Sequence, residues 1–411
     1  MAITEGAETH GGRRRLALLL AVGLVVVAAG AVWRVVATGA VSQWQAARMS
    51  DAALELAAGQ PHAPAAVLME RGKRLESNGR FVDAERCYAS AVQVAPERAD
   101  AWIGFGRTAV AARDWARANE TLAKAVEQWP DKADAHFTYA SILAGTLRTK
   151  RAIEQLKLGI ARDPARGAAL ETLGDLQMSA GDAAGAAESY ERARKLMPNE
   201  KGLRSRLGAA LVTAGQAAKA RPELEAALKD DPADNTARFF MGKALAQSKD
   251  DQDRARAFRE LNRVIGFSTN KNGVYVEAAR LWLAEGDRPN AVQSLEHAYD
   301  LNPYNVDTLT LLTQAYTEDG RPLEAARYQK ELETAKALAD ERTKVKAKIE
   351  ADADPAPDLV ALGQVDLRAH NTAEARAAFD AAALLEPGNR AALEALKAME
   401  KEARAAAGGR P

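Results

Sequence analysis

The side chains able to carry out covalent or metal chemistry are few and badly placed for it. Five histidines, His10, His62, His136, His297 and His370, are scattered, with no pair at metal-ligand spacing and no HExxH helix. The one cysteine, Cys87, rules out a disulfide framework and a cysteine zinc site, and beside Tyr88 it reads as a small half-buried apolar residue. There is no glycine-rich phosphate cradle and no GxSxG elbow. Lys+Arg and Asp+Glu number 56 each, so the net charge is zero and no basic footprint for nucleic acid exists. No catalytic pair stands out among the carboxylates, which read as solvated helix faces. The sequence therefore predicts no enzyme, no metal and no cofactor, and leaves non-covalent recognition as the chemistry to be positioned.

The elements that would position it are legible from a repeat. Pro96, Pro130, Pro164, Pro198 and Pro232 recur every 34 residues. Gly72, Gly106, Gly174, Gly208, Gly242 and Gly363 share one phase, and Gly79, Gly181, Gly215, Gly286 and Gly320 share another seven residues later. Ala84, Ala118, Ala152, Ala186, Ala220, Ala291, Ala325 and Ala375 share a third, most of them followed after four residues by a large side chain such as Tyr88, Leu122, Tyr190, Leu224 or Phe379. Small and large apolar residues at i, i+4 and i+7 make one face of an α-helix. The second glycine phase breaks the chain between two helices, and the proline stops the second helix. Each unit is a helical hairpin that buries its apolar face only against neighbours, so the fold class is all-α.

Trp102, Phe105, Gly106, Ala118, Leu122, Ala125 and Pro130, and again Leu173, Gly174, Gly181, Ala186, Tyr190, Ala193 and Pro198, resemble the tetratricopeptide repeat pattern. The resemblance covers roughly residues 65–388 and implies a right-handed α-solenoid whose first helices line a concave groove that binds proteins or peptides. Carried onto this chain, it makes the groove candidates Met69, Lys73, Ile103, Arg107, Phe137, Ser141, Glu171, Asp175, Ser205, Ala209, Phe239, Lys243, Val276, Arg280, Thr310 and Gln314. Apolar members would fill pockets, and basic ones would meet carboxylates or carbonyls. The Lys and Asn clamp that some family members use for a chaperone's C-terminal carboxylates has no counterpart at Met69, Lys73, Ile103 and Arg107.

Departures from the period mark the boundaries. Repeats 1–8 are expected over 65–334, with three extra residues in the Ser248–Arg254 turn. Surplus residues fall at Glu333–Asp354, a charged, helix-favouring run that lengthens the second helix of repeat 8. The helical extension or linker is thus placed at 335–355, repeat 9 at 356–388, and a capping helix and tail at 389–411. Upstream, 34–64 is a connector with helix expected over Ala46–Ala58.

Arg13, Arg14 and Arg15 precede Leu16–Trp33, an uncharged run of 18 residues, about the length that crosses a hydrocarbon core. This predicts a transmembrane anchor at 16–33, with a cytoplasmic tail at 1–15 and repeats outside the plasma membrane. A cleavable signal peptide is the competing reading. The implied role is an anchored bacterial scaffold in envelope assembly, secretion or export, its oligomeric state open. An anchor and about nine repeats are also similar in outline to the lipopolysaccharide assembly protein B family. That likeness implies an alternative, a cytoplasm-facing regulatory or positioning subunit of an envelope-biogenesis enzyme complex. The family's C-terminal four-cysteine module is absent here.

Overall fold

The computed structural model describes residues 41–265 and 271–408, and among them there are helices and turns but no strand. They divide into two compact units, one ending at Thr138 and the other beginning at Tyr139. The predicted anchor at 16–33 lies outside the described residues. Among the described residues no helix is long and apolar enough to cross a membrane.

The first unit opens with α1 (Gln43–Ala47) and α2 (Asp51–Ala58), which replace the single helix predicted over Ala46–Ala58. The break has a local cause: Ser50 turns extended and accepts a hydrogen bond from the Ala53 amide, starting a new helix. Val41, Ala46, Leu54 and Ala57 pack on Ala66 and Val67, so these two helices cover the open side of the first hairpin. Hairpins α3 (Ala65–Ser77) with α4 (Phe81–Val94) and α5 (Ala99–Ala111) with α6 (Trp115–Gln128) follow, and the unit ends within α7 (Ala133–Gly145).

The glycine phase and the large-residue phase are two halves of one contact. A Cβ on Gly72 would lie 2.9 Å from the ring of Tyr88, and one on Gly104 would lie 2.4 Å from the other edge of the same ring. Tyr88 is thus wedged between the backbones of α3 and α5, which only glycine permits. The same sixteen-residue pairing joins Gly106 to Leu122 and, in the second unit, Gly174 to Tyr190, Gly208 to Leu224 and Gly363 to Phe379. Gly242 instead meets Leu261, nineteen residues on, which locates the three inserted residues between them.

The second unit continues with α8 (Thr149–Arg162) and the hairpins α9 (Gly167–Ser179)/α10 (Ala183–Leu196), α11 (Leu203–Thr213)/α12 (Ala217–Asp230), α13 (Asn235–Ala246)/α14 (Asp251–Ile265), α15 (Lys271–Ala284)/α16 (Arg288–Leu301), α17 (Val306–Glu318)/α18 (Pro322–Ala351) and α19 (Ala356–Arg368)/α20 (Thr372–Leu385), then α21 (Arg390–Gly408). Turns between paired helices need a left-handed residue. Gly79, Gly181, Gly215, Gly286 and Gly320 supply it with φ of 65–84°. Three turns reach it without glycine, at Arg113 (65°), Leu147 (57°) and His370 (56°), which shows that stacking imposes the conformation on residues that disfavour it.

The surplus residues are continuous helix: α18 runs for 30 residues, with no glycine or proline between Pro322 and Pro355 to stop it. Its first half buries Ala325, Tyr328, Leu332 and Ala335 against Leu295, Leu309 and Leu312. Its second half places Val345 and Ile349 with Leu147, Leu359, Leu362 and Phe379. At its tip the Glu350 carboxylate accepts from the backbone amides of Lys150 (2.6 Å) and Arg151 (3.3 Å), at the N-terminus of α8. The buried Arg148 guanidinium donates to the carbonyls of Asp352 and Ala353, both at 3.1 Å. A carboxylate on a helix N-terminus and a cation on carbonyls just past a helix end are complementary to both backbone ends. This seam joins residues about 200 apart in sequence.

Candidate partner-binding face

Packing sorts the sixteen groove positions. At the position after the packing glycine, or after its repeat equivalents Ala279 and Thr313, Lys73, Arg107, Asp175, Arg280 and Gln314 are exposed, Lys243 is half-buried and Ala209 is buried. The position three before that glycine behaves differently. Met69 is 1% exposed and Ile103 8%, and both face the core rather than a groove, which corrects the expectation that they stand free as apolar anchors. Their long side chains reach back over the preceding turn of their own helix and meet the neighbouring hairpin. Ser205, Ala209 and Val276 are buried as well. Phe137 and Phe239 are half-buried, and Phe239 stands edge-on to Phe240 with ring centroids 5.0 Å apart. Glu171 is half-buried; Ser141 and Thr310 are exposed, the Thr310 hydroxyl donating to the Val306 carbonyl.

The cations of this face are already engaged one repeat away. Arg107 grips Glu76 with two nitrogens, at 2.5 and 2.7 Å, which pushes the guanidinium further above its usual range. Arg206 pairs with Glu171 and lies 3.6 Å from Asp175. Lys243 meets Glu277 at 3.0 Å, and Arg280 bridges Glu277 (2.9 Å) and Asp307 (3.1 Å). The Asp175 carboxylate also accepts from the Tyr190 hydroxyl at 2.6 Å, and burial followed by this bond raises the Tyr190 phenol. Such pairs join residues 27–35 apart, linking α3 to α5, α9 to α11, α13 to α15 and α15 to α17. Glu76, Arg206 and Glu277 were not among the sequence candidates. Opposite charges about one repeat apart were the signal that could have found them. Lys73 differs: its ammonium is exposed and makes no hydrogen bond or ion pair.

Helical hairpins with a 34-residue period and small residues at the helix crossings define an all-α helical-repeat architecture. Tetratricopeptide repeat models match residues 103–158 and 177–244. Solved structures of similar fold include a tetratricopeptide repeat protein from Parabacteroides merdae (15% identity over 57% of this chain and 91% of that one, TM-score 0.39). Others are Pseudomonas aeruginosa pilF (19%, 53% and 98%, TM-score 0.40) and YrrB, described as having an unusual peptide-binding site (22%, 46% and 96%, TM-score 0.36). No curated protein matches the sequence. Tetratricopeptide repeats generally mediate protein or peptide binding.

Proposed function

We propose that the protein is a membrane-anchored scaffold that holds partner proteins or peptides of the bacterial envelope on its first-helix face, outside the plasma membrane. The observation that carries the capture reading is the set of open first-helix side chains, Lys73 and Arg107 in the first unit and Asp175, Arg280 and Gln314 in the second. The ion-pair ladder keeps most of these cations in fixed places, so a partner meets a preorganised surface and loses less side-chain freedom on binding. The uncharged run at 16–33 supports the anchor, and the arginine triplet before it supports the orientation. Confinement to the bilayer would raise the local concentration of captured partners with no added contact.

A photo-crosslinking residue at Lys73 or Gln314 should trap a defined set of envelope proteins in the native cell. The same residue at Lys195, on the exposed side of a second helix, should not. Equal labelling from all three positions would refute capture by this face. A C-terminal reporter active only in the cytoplasm would refute the orientation while leaving the capture face untouched.

A further inference from the structure

A cavity of about 680 Å³ lies in the second unit, between α18, the last repeat and the hairpins of repeats 3 and 4. Its size is within the range of small-molecule sites. Leu147, Leu176 and Leu362 give it an apolar wall. Two charged groups on it, the buried Asp366 and the exposed Lys346, are placed to meet a ligand. The Asp366 side chain is 1% exposed; Oδ1 accepts from Arg342 Nε at 2.6 Å, while Oδ2 is buried with no donor within hydrogen-bond distance, the Asn371 side chain being another polar neighbour that acts on the carboxyl. Buried polar atoms in folded proteins nearly always have a partner, so a donor from outside the chain is expected there. Lys346, one turn beyond Arg342 on the cavity side of α18, makes no hydrogen bond or ion pair.

A simple anion held by Lys346 would leave the Asp366 oxygen without a donor and set two negative charges near each other. A simple cation at Asp366 would sit near Lys346 and Arg342. A ligand with one end of each sign satisfies both groups. We propose that this cavity binds a free α-amino acid with an apolar side chain. Its ammonium group donates to Asp366 Oδ2, its carboxylate accepts from Lys346, and its side chain lies against the three leucines.

The test is calorimetric titration of the full-length chain in detergent with L-leucine, L-methionine and L-phenylalanine. At least one should bind saturably. Its N-acetyl form, which lacks the ammonium group, and its amide, which lacks the carboxylate, should each bind at least about ten-fold more weakly. Lys346→Gln should weaken binding by a similar factor without moving the ligand-free melting temperature, since Lys346 holds nothing in the chain. Asp366→Asn should do the same if its circular dichroism is native; if it fails to fold, the analogues and Lys346→Gln decide. No saturable binding of any of the three up to about 10 mM would overturn the proposal and leave water as the donor to Asp366. Blocked analogues binding as tightly as the parent, or Lys346→Gln binding as tightly as wild type, would also overturn it.

Discussion

Gly208→Ala is the sharpest test of the stacking on which both proposals rest. A Cβ there would lie 2.4 Å from Leu224 Cδ2 and 2.5 Å from Cγ, and Leu224 is 0% exposed. Cγ is the branch point of the side chain, so turning χ2 moves the methyl groups but leaves the Cγ contact, and relieving that contact needs a change of χ1 inside a filled core. Alanine in a helix interior is worth about 1 kcal/mol over glycine, while an extra methyl forced into a filled core costs about 1–3 kcal/mol, and a contact this short belongs at the upper end. The net expectation is a loss of about 1–2 kcal/mol, or a fall of roughly 2–8 °C in melting temperature for a unit of this size. Gly59→Ala is the control. Its Cβ would meet only backbone oxygens at 3.4 and 3.7 Å, so the helix gain should be kept and stability should hold or rise. Leu224→Ala alone should cost about 2–5 kcal/mol, and Gly208→Ala combined with it should cost less than the sum, because the new methyl enters the space the leucine left. Thermal and urea unfolding followed by circular dichroism measure all four variants. If Gly208→Ala stabilises the chain as Gly59→Ala does, or if the pair is additive, the close approach of these helices is not what the glycine phase provides.

Four other perturbations have definite expected outcomes. Phe137→Ala and Phe239→Ala should leave helicity unchanged and weaken partner capture by at least about ten-fold in a crosslinking assay; melting of the array would make them packing residues instead. Arg238→Ala removes a 2.8 Å pair with Glu260 whose side chains are only 15% and 10% exposed, and should cost about 2 kcal/mol in urea unfolding, less than for a fully buried pair because Arg256 and Arg263 stand 3.8 Å away. Arg113→Gly frees a left-handed residue and should raise stability by about 0.5 kcal/mol, the relief of strain exceeding the entropy glycine adds to the unfolded chain; an unchanged or lower melting temperature would count against strain at that turn. Burial pushes the Asp366 carboxyl up, against the pull of Arg342. Stability from a group whose folded value is raised is present below the unfolded value, about 3.9, and is lost as pH climbs through the folded one. The wild-type advantage over Asp366→Asn should therefore shrink as pH rises above about 4, and a flat or growing advantage in melting temperature would contradict this.

The repeat was legible because each packing contact recurs at a fixed sequence interval: Gly72 with Tyr88, Gly106 with Leu122 and Gly208 with Leu224 are one event seen three times. The three-residue insertion was legible for the same reason, since it shifts the Gly242 partner from the expected sixteenth residue to Leu261. The face was read less well. Met69 and Ile103 occupy the helical angle of Phe137 and Phe239, yet are buried, because exposure at that angle depends on how closely the next hairpin approaches, which periodicity does not encode. Arg107, Lys243 and Arg280 looked available because their acidic partners sit on other repeats. The seam at Glu350 and the cavity beside Asp366 were beyond the pattern altogether. They join segments some six repeats apart through the part of α18 that the repeat does not contain, and their charges resemble those of any solvated helix.

That seam sets an order of events during synthesis. The pairs that stitch one first helix to the next span 27–35 residues, so each hairpin finds its neighbour soon after leaving the ribosome. Arg148 must wait for the carbonyl of Ala353, 205 residues downstream. At a translation rate of about 5–20 residues per second the delay is on the order of 10–40 s. Through that interval a guanidinium buried in the finished protein stays hydrated, and the left-handed turn at Leu147 goes without the α18 side chains that later pack on it. The repeats can thus assemble from the N-terminus onward, while the last lock closes only when nearly the whole polypeptide has emerged.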